Sequence, residues 1–415
     1  NFCAPGFFTG TAPAHLVNQE EIFGPVATTM TFRTPDEAVD LANDTRYGLA
    51  ATIWSQDIDR AIAFAARVKA GVVWINGTNM FDAGAAFGGM RESGFGREGA
   101  REGLGEYLSA PTGKPGKPRA TPAPISGAPS TGKHDLPAID VTSKMYIGGK
   151  QARADNGLSY SVIGKGGAVI GQAAYGSRKD IRNAVEAAAK ATGWGGVTGH
   201  NRAQVLYYLA ENLEPRRDAL EALLIRSTGI SAKQAQAEVE ETLRRCFRFA
   251  AHADKFDGAV HATLQRHVTL ALNEPWGVMG LVCPDEQPLL SMLSLILPAI
   301  AMGNRVVVVA SQSHPLIAHA VTQVLETSDI PAGVVNIVTG PVAALTATLA
   351  AHAEVAALWY CGPAEGIAPM EEAACGNLKP VWAEGTIRDW LASDPGKDAL
   401  TRATQIKTIW LPYGE

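Results

Sequence analysis

Apolar and polar positions divide the 415-residue chain into two stretches separated by a segment without period. In the first, Val26 to Phe32 is β-branched and aromatic and predicts a strand. Thr34-Pro35-Asp36-Glu37 supplies an N-cap, a proline at the first helical position and acids in the first turn, opening a helix through about Asn43. Ala51 to Trp54 predicts a strand. Asp57 to Lys69 repeats Ile58, Ala61, Ile62, Ala65 and Val68 at helical spacing and stops at Gly71. Val72 to Ile75 is a fully apolar strand. After residue 143, Ser177 and Asp180 form a capping box at the start of a helix to Thr192, and helical spacing covers 200–227 and 231–256. Then strands at 276–283, 305–310, 334–338 and 355–360 alternate with helices at 289–302, 316–327 and 342–351. Short apolar strands alternating with helices predict βαβ crossovers and a parallel sheet covered on both faces.

The segment between, 110–142, changes composition rather than period. Seven prolines fall between Ser109 and Ser143 without apolar repetition, which predicts a semi-extended, solvated tether. Its lysines and Arg119 leave a docking or anion-binding arm as the alternative. The expected division is therefore 1–109, a linker at 110–142, and 143–415.

Composition narrows the classes. Apolar residues make up 46% and charged residues 19%, so wholesale disorder is excluded. A net charge of −5 argues against nucleic acid or an anionic membrane as the main partner. The longest apolar run, Leu289 to Met302, is short for a span and is broken by Pro298. Five cysteines (Cys3, Cys246, Cys283, Cys361, Cys375) include no C-x-x-C pair; they suit free thiols in a reducing cytoplasm, and no metal site is expected. Two N-x-T sequons, at Asn43 and Asn76, are read as chance matches without a secretory signal. The chain starts Asn1-Phe2-Cys3, without a methionine, and truncation is the expectation.

Gly94-Phe95-Gly96-Arg97-Glu98-Gly99 matches G-x-G-x-x-G. No strand immediately precedes it and no acid follows at the ribose position, so a tight turn before a helix at Ala100 to Tyr107 is the better reading. More specific are Gln19-Glu20-Glu21-Ile22-Phe23-Gly24-Pro25-Val26, Asn43-Asp44-Thr45-Arg46-Tyr47-Gly48-Leu49-Ala50-Ala51, Val73-Trp74-Ile75-Asn76 and Phe87-Gly88-Gly89-Met90-Arg91-Glu92-Ser93-Gly94-Phe95-Gly96. In this order and spacing, residues 5–108 resemble the C-terminal part of NAD(P)-dependent aldehyde dehydrogenases. The resemblance implies that Glu21 binds the nicotinamide ribose and Phe23 packs near the nicotinamide ring. Phe81 and Phe87 would line the aldehyde tunnel, with Asn76 on the turn bordering it. Where the family has proline before F-G-G, this chain has Ala86. The family's nucleophilic cysteine lies well upstream of E-I-F-G-P, and Cys3 lacks its surroundings.

Residues 145–415 resemble the N-terminal portion of the same family, through Met145-Tyr146-Ile147-Gly148-Gly149-Lys150, Glu274-Pro275-Trp276-Gly277-Val278, Gly303-Asn304 and Pro331-Ala332-Gly333-Val334-Val335-Asn336. Positions that carry function in the family differ. Glu286 replaces the oxyanion-holding asparagine, and a carboxylate there would repel an oxyanion. The ribose-binding K-P-S-E becomes Val309-Ala310-Ser311-Gln312, and F-T-G-S becomes Trp359-Tyr360-Cys361-Gly362. Ala374 falls at the general base, beside Glu371 and Glu372, and no G-Q-x-C follows.

The resemblance thus implies an α/β, aldehyde dehydrogenase-like fold: a parallel Rossmann-type sheet with flanking helices in the second module, and the mixed α/β end of a catalytic domain in the first. The order resembles the tandem members called family sixteen. It implies a cytoplasmic enzyme using NAD or NADP on an aldehyde, a catalytically silent second module and a homodimer formed through it. Neither nucleic acid nor membrane is an expected partner. The segment Thr404 to Tyr413 alternates apolar residues and suits the tail strand used in assembly. The competing reading is a non-enzymatic scaffold or oligomerisation protein on the same fold.

Overall fold

A computed structural model describes residues 2–108, 116–125, 141–265 and 267–412. The chain forms two compact units: Asn1–Ala110 with Gly258–Asn273 and Ile406–Glu415, and Pro111–Asp257 with Glu274–Gln405.

In the first unit, strands β1 (Ala50–Ile53) and β2 (Val72–Ile75) run parallel, with helices α1 (Pro35–Asn43) and α2 (Ile58–Arg67) between and before them. Thr34 and Asp57 cap the two helices by accepting from the backbone N–H of Glu37 and Arg60. The predicted strand at 26–32 is only Val26–Thr28, because its partner, Gly6–Phe8, supplies three residues of parallel pairing. Three more strands come from far along the chain: Ala259–His261, His267–Pro275 and the tail strand Thr404–Pro412. The five-stranded order is Ala259–His261, His267–Pro275, tail strand, β2, β1. Residues 258–265, 267–273 and 406–412, expected within 143–415, belong instead to the first unit, through pairing that local periodicity does not encode. The tail strand has a neighbour on both edges within the chain, so it is not the free edge that an assembly strand requires.

Lys407 shows how tightly that strand is set. Its side chain is fully buried and its ammonium donates to the carbonyls of Ala65, Ala66 and Val68 at 3.2, 3.2 and 2.8 Å. These are the orphan acceptors and negative dipole end of α2.

In the second unit, β3 (Val278–Val282), β4 (Arg305–Val309), β5 (Val335–Val338), β6 (Ala357–Tyr360) and β7 (Val381–Ala383) form a parallel sheet in the order β7-β6-β3-β4-β5. Met145–Ile147 and Lys150–Ala152 extend it antiparallel beyond β5. Side chains alternate between two cores. Met279, Leu281, Val306, Val308, Ile337 and Trp359 face one, while Val278, Val282, Val307, Val309, Leu358 and Tyr360 face the other. The first core is closed by α6 (Ala232–His252), α7 (Pro288–Ala301) and α8 (Pro315–Glu326), among others. The second is closed by α3 (Arg178–Lys190) and α9 (Val342–Ala350). The helix predicted over 200–227 is two, α4 (Gly199–Leu213) and α5 (Arg217–Thr228), because Pro215 lacks the N–H that would continue the ladder.

Residues 116–125, expected as solvated tether, are instead held on the second unit. Arg119 is 7% exposed, and Ile125 packs beside Tyr160 and Leu316. A buried guanidinium needs a full set of acceptors, and the folded unit supplies them.

Candidate functional site

The motifs quoted from the first stretch converge. Arg46 donates to the carboxylate of Glu20 at 2.6 Å and to the Tyr47 hydroxyl at 2.8 Å, and its Nε lies 3.4 Å from Glu92. Arg91 donates to the carbonyls of Asn43 and Thr45, and the Ser93 hydroxyl accepts from the Gly48 N–H at 3.0 Å. Residues 19–21, 47–51 and 92–93, far apart in sequence, thereby line one cleft of about 670 Å³ that includes Glu20, Glu21, Tyr47, Leu49, Glu92 and Ser93.

Within this cleft the two adjacent acids differ. Glu20 is engaged by Arg46; Glu21 is exposed and has no ion-pair or hydrogen-bond partner among the described residues. Phe23 is 91% exposed and sits at φ 54°, a left-handed backbone that a bulky residue adopts at a cost. Sequence and fold thus present a free carboxylate and a bare ring two residues apart.

A second cleft, of about 800 Å³, shares Leu49 and Ser93 with the first and is lined by Phe87, Arg97, Glu98 and Leu104, among others. Close approaches shape this segment: a Cβ on Gly71, just before β2, would lie 1.8 Å from the carbonyl oxygen of Gly88, and one on Gly88 would lie 2.2 Å from that of Gly96, so each of these two positions requires glycine. Phe87 and Phe81 are in contact, with ring centroids 4.8 Å apart, and Trp74 stands edge-on to Phe81 at 6.0 Å. Trp74 donates its indole N–H to the Met80 carbonyl at 3.0 Å. The structure therefore brings Phe81 and Phe87 together, and Trp74 with them. Glu21 and Phe87 lie in neighbouring clefts, while Phe81 and Asn76 line neither.

Asn76 follows β2 at φ 50°, in the turn the sequence predicts. Both ends of its amide are occupied: Oδ1 accepts from the Ser55 N–H at 2.8 Å and Nδ2 donates to the Ser55 carbonyl at 2.9 Å. This amide pins the end of β1 to the turn.

Arg97 is the residue that spacing did not single out. It is 9% exposed and donates to the carbonyls of Gly89, Phe95, Gly96 and Ile406, the last at 2.8 Å. Burial lowers its pKa, opposed by Glu102 and Glu106. The guanidinium is held by carbonyls of the G-x-G-x-x-G loop and its neighbour Gly89, and the N–H groups of Gly94 and Glu98 already donate to the carbonyls of Arg91 and Phe87, at 3.1 and 2.7 Å. Gly94 and Gly99, at φ 94° and 71°, make the tight turns. The signal was an arginine flanked by glycines, whose carbonyls are open to it.

The second unit offers a crevice of its own. The chain runs outward from β3 through β4 to β5, then returns to place β6 on the other side of β3. The carboxyl ends of β3 and β6 are thus a topological switch point, where open α/β sheets receive ligands. At that point stand Asp285, Glu286 and Gly362. The Asp285 carboxylate accepts from the Ser313 hydroxyl at 2.7 Å and from that of Ser311. Cys283 and Cys361, which directly follow β3 and β6, are buried; burial holds Cys283 well above the usual thiol range and pushes Cys361 up to about 12.

The sequence profile of the aldehyde dehydrogenase family matches residues 1–112 and 159–388. This chain belongs to the aldehyde dehydrogenase family. It is 48% identical over 106 residues to an aldehyde dehydrogenase of Agaricus bisporus, covering 26% of this chain and 20% of the relative. It is 46% identical over 106 residues to betaine aldehyde dehydrogenase of Bacillus subtilis, covering 26% and 22%. With mitochondrial benzaldehyde dehydrogenase of Antirrhinum majus it shares 32% identity over 247 residues, covering 58% and 46%. The chain spans between a fifth and a half of the length of these relatives. Among solved structures, betaine aldehyde dehydrogenase of Staphylococcus aureus in complex with NAD+ matches with a TM-score of 0.57 and 24% identity, over 59% of this chain and 50% of that one. That likeness establishes the α/β fold. Among the described residues no helix is long and apolar enough to cross a membrane.

Proposed function

We propose that the first unit carries the cofactor-facing and tunnel-facing side of an NAD(P)-dependent aldehyde dehydrogenase site, and that the second unit is a non-catalytic module of the tandem, family-sixteen kind. The observation that supports the reading is the Glu21 carboxylate, exposed in a cleft built by the family's own motifs, with the exposed ring of Phe23 two residues further along the chain.

The residues fit a dinucleotide at its nicotinamide end. The Glu21 carboxylate can accept both ribose hydroxyls, and Phe23 can cover the ring against water. NAD(P), when bound, accepts the hydride released as an aldehyde becomes a carboxylic acid. Phe81 and Phe87, packed on Trp74, form an aromatic wall suited to the aldehyde's approach. In this reading the thiol that would form the thioester belongs to a segment outside this sequence, since none of its five cysteines stands in the family's motif. Exposed aromatics agree: Phe7, Phe8, Phe32 and Trp54 are 49–69% exposed, apolar area that the rest of a catalytic module would cover. A homodimer through the second unit and a cytoplasmic location are part of the same proposal.

The test is Glu21→Gln in a protein that also carries the nucleophile. Turnover should fall about ten- to a hundredfold, because only cofactor placement suffers, while the melting temperature stays where it was. A large fall in melting temperature with unchanged kinetics would remove Glu21 from the site.

A further inference from the structure

We propose that the switch-point crevice of the second unit is a peptide groove whose resident ligand is the chain's own segment 117–125, locked in place by Arg119. This deepens the reading of the second unit as non-catalytic, by naming what takes the nucleotide's place.

The segment crosses the carboxyl ends of four parallel strands. Beyond β7, it adds as a short antiparallel strand: Pro118 bridges Thr386, the Arg119 N–H donates to the Gly385 carbonyl at 2.8 Å, and the Ile387 N–H donates to the Lys117 carbonyl at 2.8 Å. Over β6 and β3 the Arg119 side chain turns into the crevice. Its Nε donates to both oxygens of Glu286, at 3.0 and 3.3 Å, and Nη2 closes a second bond to the same carboxylate. Nη1 donates to the carbonyls of Gly362, at 3.3 Å, and Glu384. Past this point Thr121 donates to Glu365, and beyond β4 the Gln312 amide donates to the Ala123 carbonyl at 2.8 Å. Ile125 ends the segment against Leu316 and Tyr160.

Three positions that differ from the family's pattern are contacts of this segment. Glu286, unsuited to an oxyanion, is the acid that an inserted guanidinium requires; its side chain is 19% exposed and that of Arg119 6%. Gln312, at the place of a ribose-binding acid, uses Nε2 for Ala123 and Oε1 for the Val342 N–H that opens α9. Gly362, in the segment aligned with the pyrophosphate turn, offers its carbonyl to Arg119. Backbone pairing with one buried, bidentate anchor is the chemistry of an extended peptide site. A dinucleotide would have to displace that anchor and leave Glu286 without its guanidinium, held only by the Arg388 N–H at 3.4 Å, with its negative charge facing the phosphates.

Hydrogen–deuterium exchange on the whole chain tests the proposal without altering the protein. Peptides covering 117–125 and 385–388 should exchange about a hundredfold more slowly than an unstructured segment. Arg119→Ala should speed both about tenfold or more while leaving 335–338, in the centre of the sheet, unchanged. The charge swap Arg119→Glu with Glu286→Arg should restore part of the protection. Exchange at the unstructured rate in the unaltered chain overturns the proposal, as does protection indifferent to Arg119→Ala. Equilibrium dialysis with NAD+ separates this inference from the reading it rests on. No binding to the second unit is expected in the unaltered chain. Binding there that leaves 117–125 protected overturns the groove. Binding only after Arg119→Ala supports the segment as the excluding element and overturns the view that altered side chains silenced the unit.

Discussion

Glu238 lies in the interior of α6, yet its carboxylate serves another helix. It accepts from the N–H groups of Leu289 and Leu290, at 3.0 and 3.3 Å, and so caps the first turn of α7, which enters from Gln287 at φ 45°. Burial nonetheless dominates and raises its pKa from 4.5 to about 7, with the two backbone bonds opposing. Between those two values the folded chain holds a proton that the unfolded chain has released. Stability from this group is therefore present below pH 4.5 and is lost as pH rises through about 7. Glu238→Gln keeps an acceptor for the two N–H groups and cannot ionise. The stability of the variant relative to the parent should rise by about 3 kcal/mol between pH 4.5 and 8, measured by urea unfolding at each pH. A flat difference would show that the carboxyl is not the titrating group.

At the scale of elements, the tail strand joins segments more than three hundred residues apart. Thr408 donates its N–H to the Gly71 carbonyl at 2.9 Å and its hydroxyl to the Ala86 carbonyl at 2.7 Å, between a neighbour on each edge. Thr408→Pro removes the ladder donor from an interior strand and should cost about 3 kcal/mol or more, whereas Thr408→Val loses the hydroxyl bond alone, about 1 kcal/mol. Unfolding followed by fluorescence of the buried Trp74 and Trp410 reads both. Equal losses would mean the N–H bond contributes nothing. The strand itself was legible, since 404–413 alternates apolar positions; its partner was not, because nothing within ten residues of Thr408 names Gly71. The same division holds elsewhere. Strands β3 to β6 could be read because each buries both faces and is therefore mostly apolar, with Arg305 at the start of β4 and the buried Asn336 in β5 as the polar exceptions. The hairpin at 259–275 and the seat of Arg119 could not, since both depend on groups brought together only by the closed fold. Glu21 and Phe23 were found by motif. Their exposure and the engagement of Glu20 by Arg46 are what separate the two acids, and only geometry shows that.

For the whole molecule, the question is whether any thiol here can begin aldehyde oxidation. The reacting species is the thiolate. Cys246 and Cys361 are buried with pKa values pushed to about 12, and Cys283 is buried and held high by the same desolvation. At neutral pH a thiol of that kind is ionised in about one molecule in 10⁵. Cys3 and Cys375 are exposed, but neither lies in a cleft with the Glu21 carboxylate. The 415-residue chain should therefore reduce neither NAD+ nor NADP+ with any aldehyde. Failure of cofactor binding alone would give the same result, so a second readout is needed. Hydrolysis of an activated ester requires the nucleophile and no cofactor, and it should also be absent. A disulfide reagent should titrate two of the five thiols rapidly in the native chain and the other three only after denaturation. A third fast thiol, or ester turnover lost on substituting Cys283 or Cys361, would place a working nucleophile at the switch point and reverse the assignment of the second unit as silent.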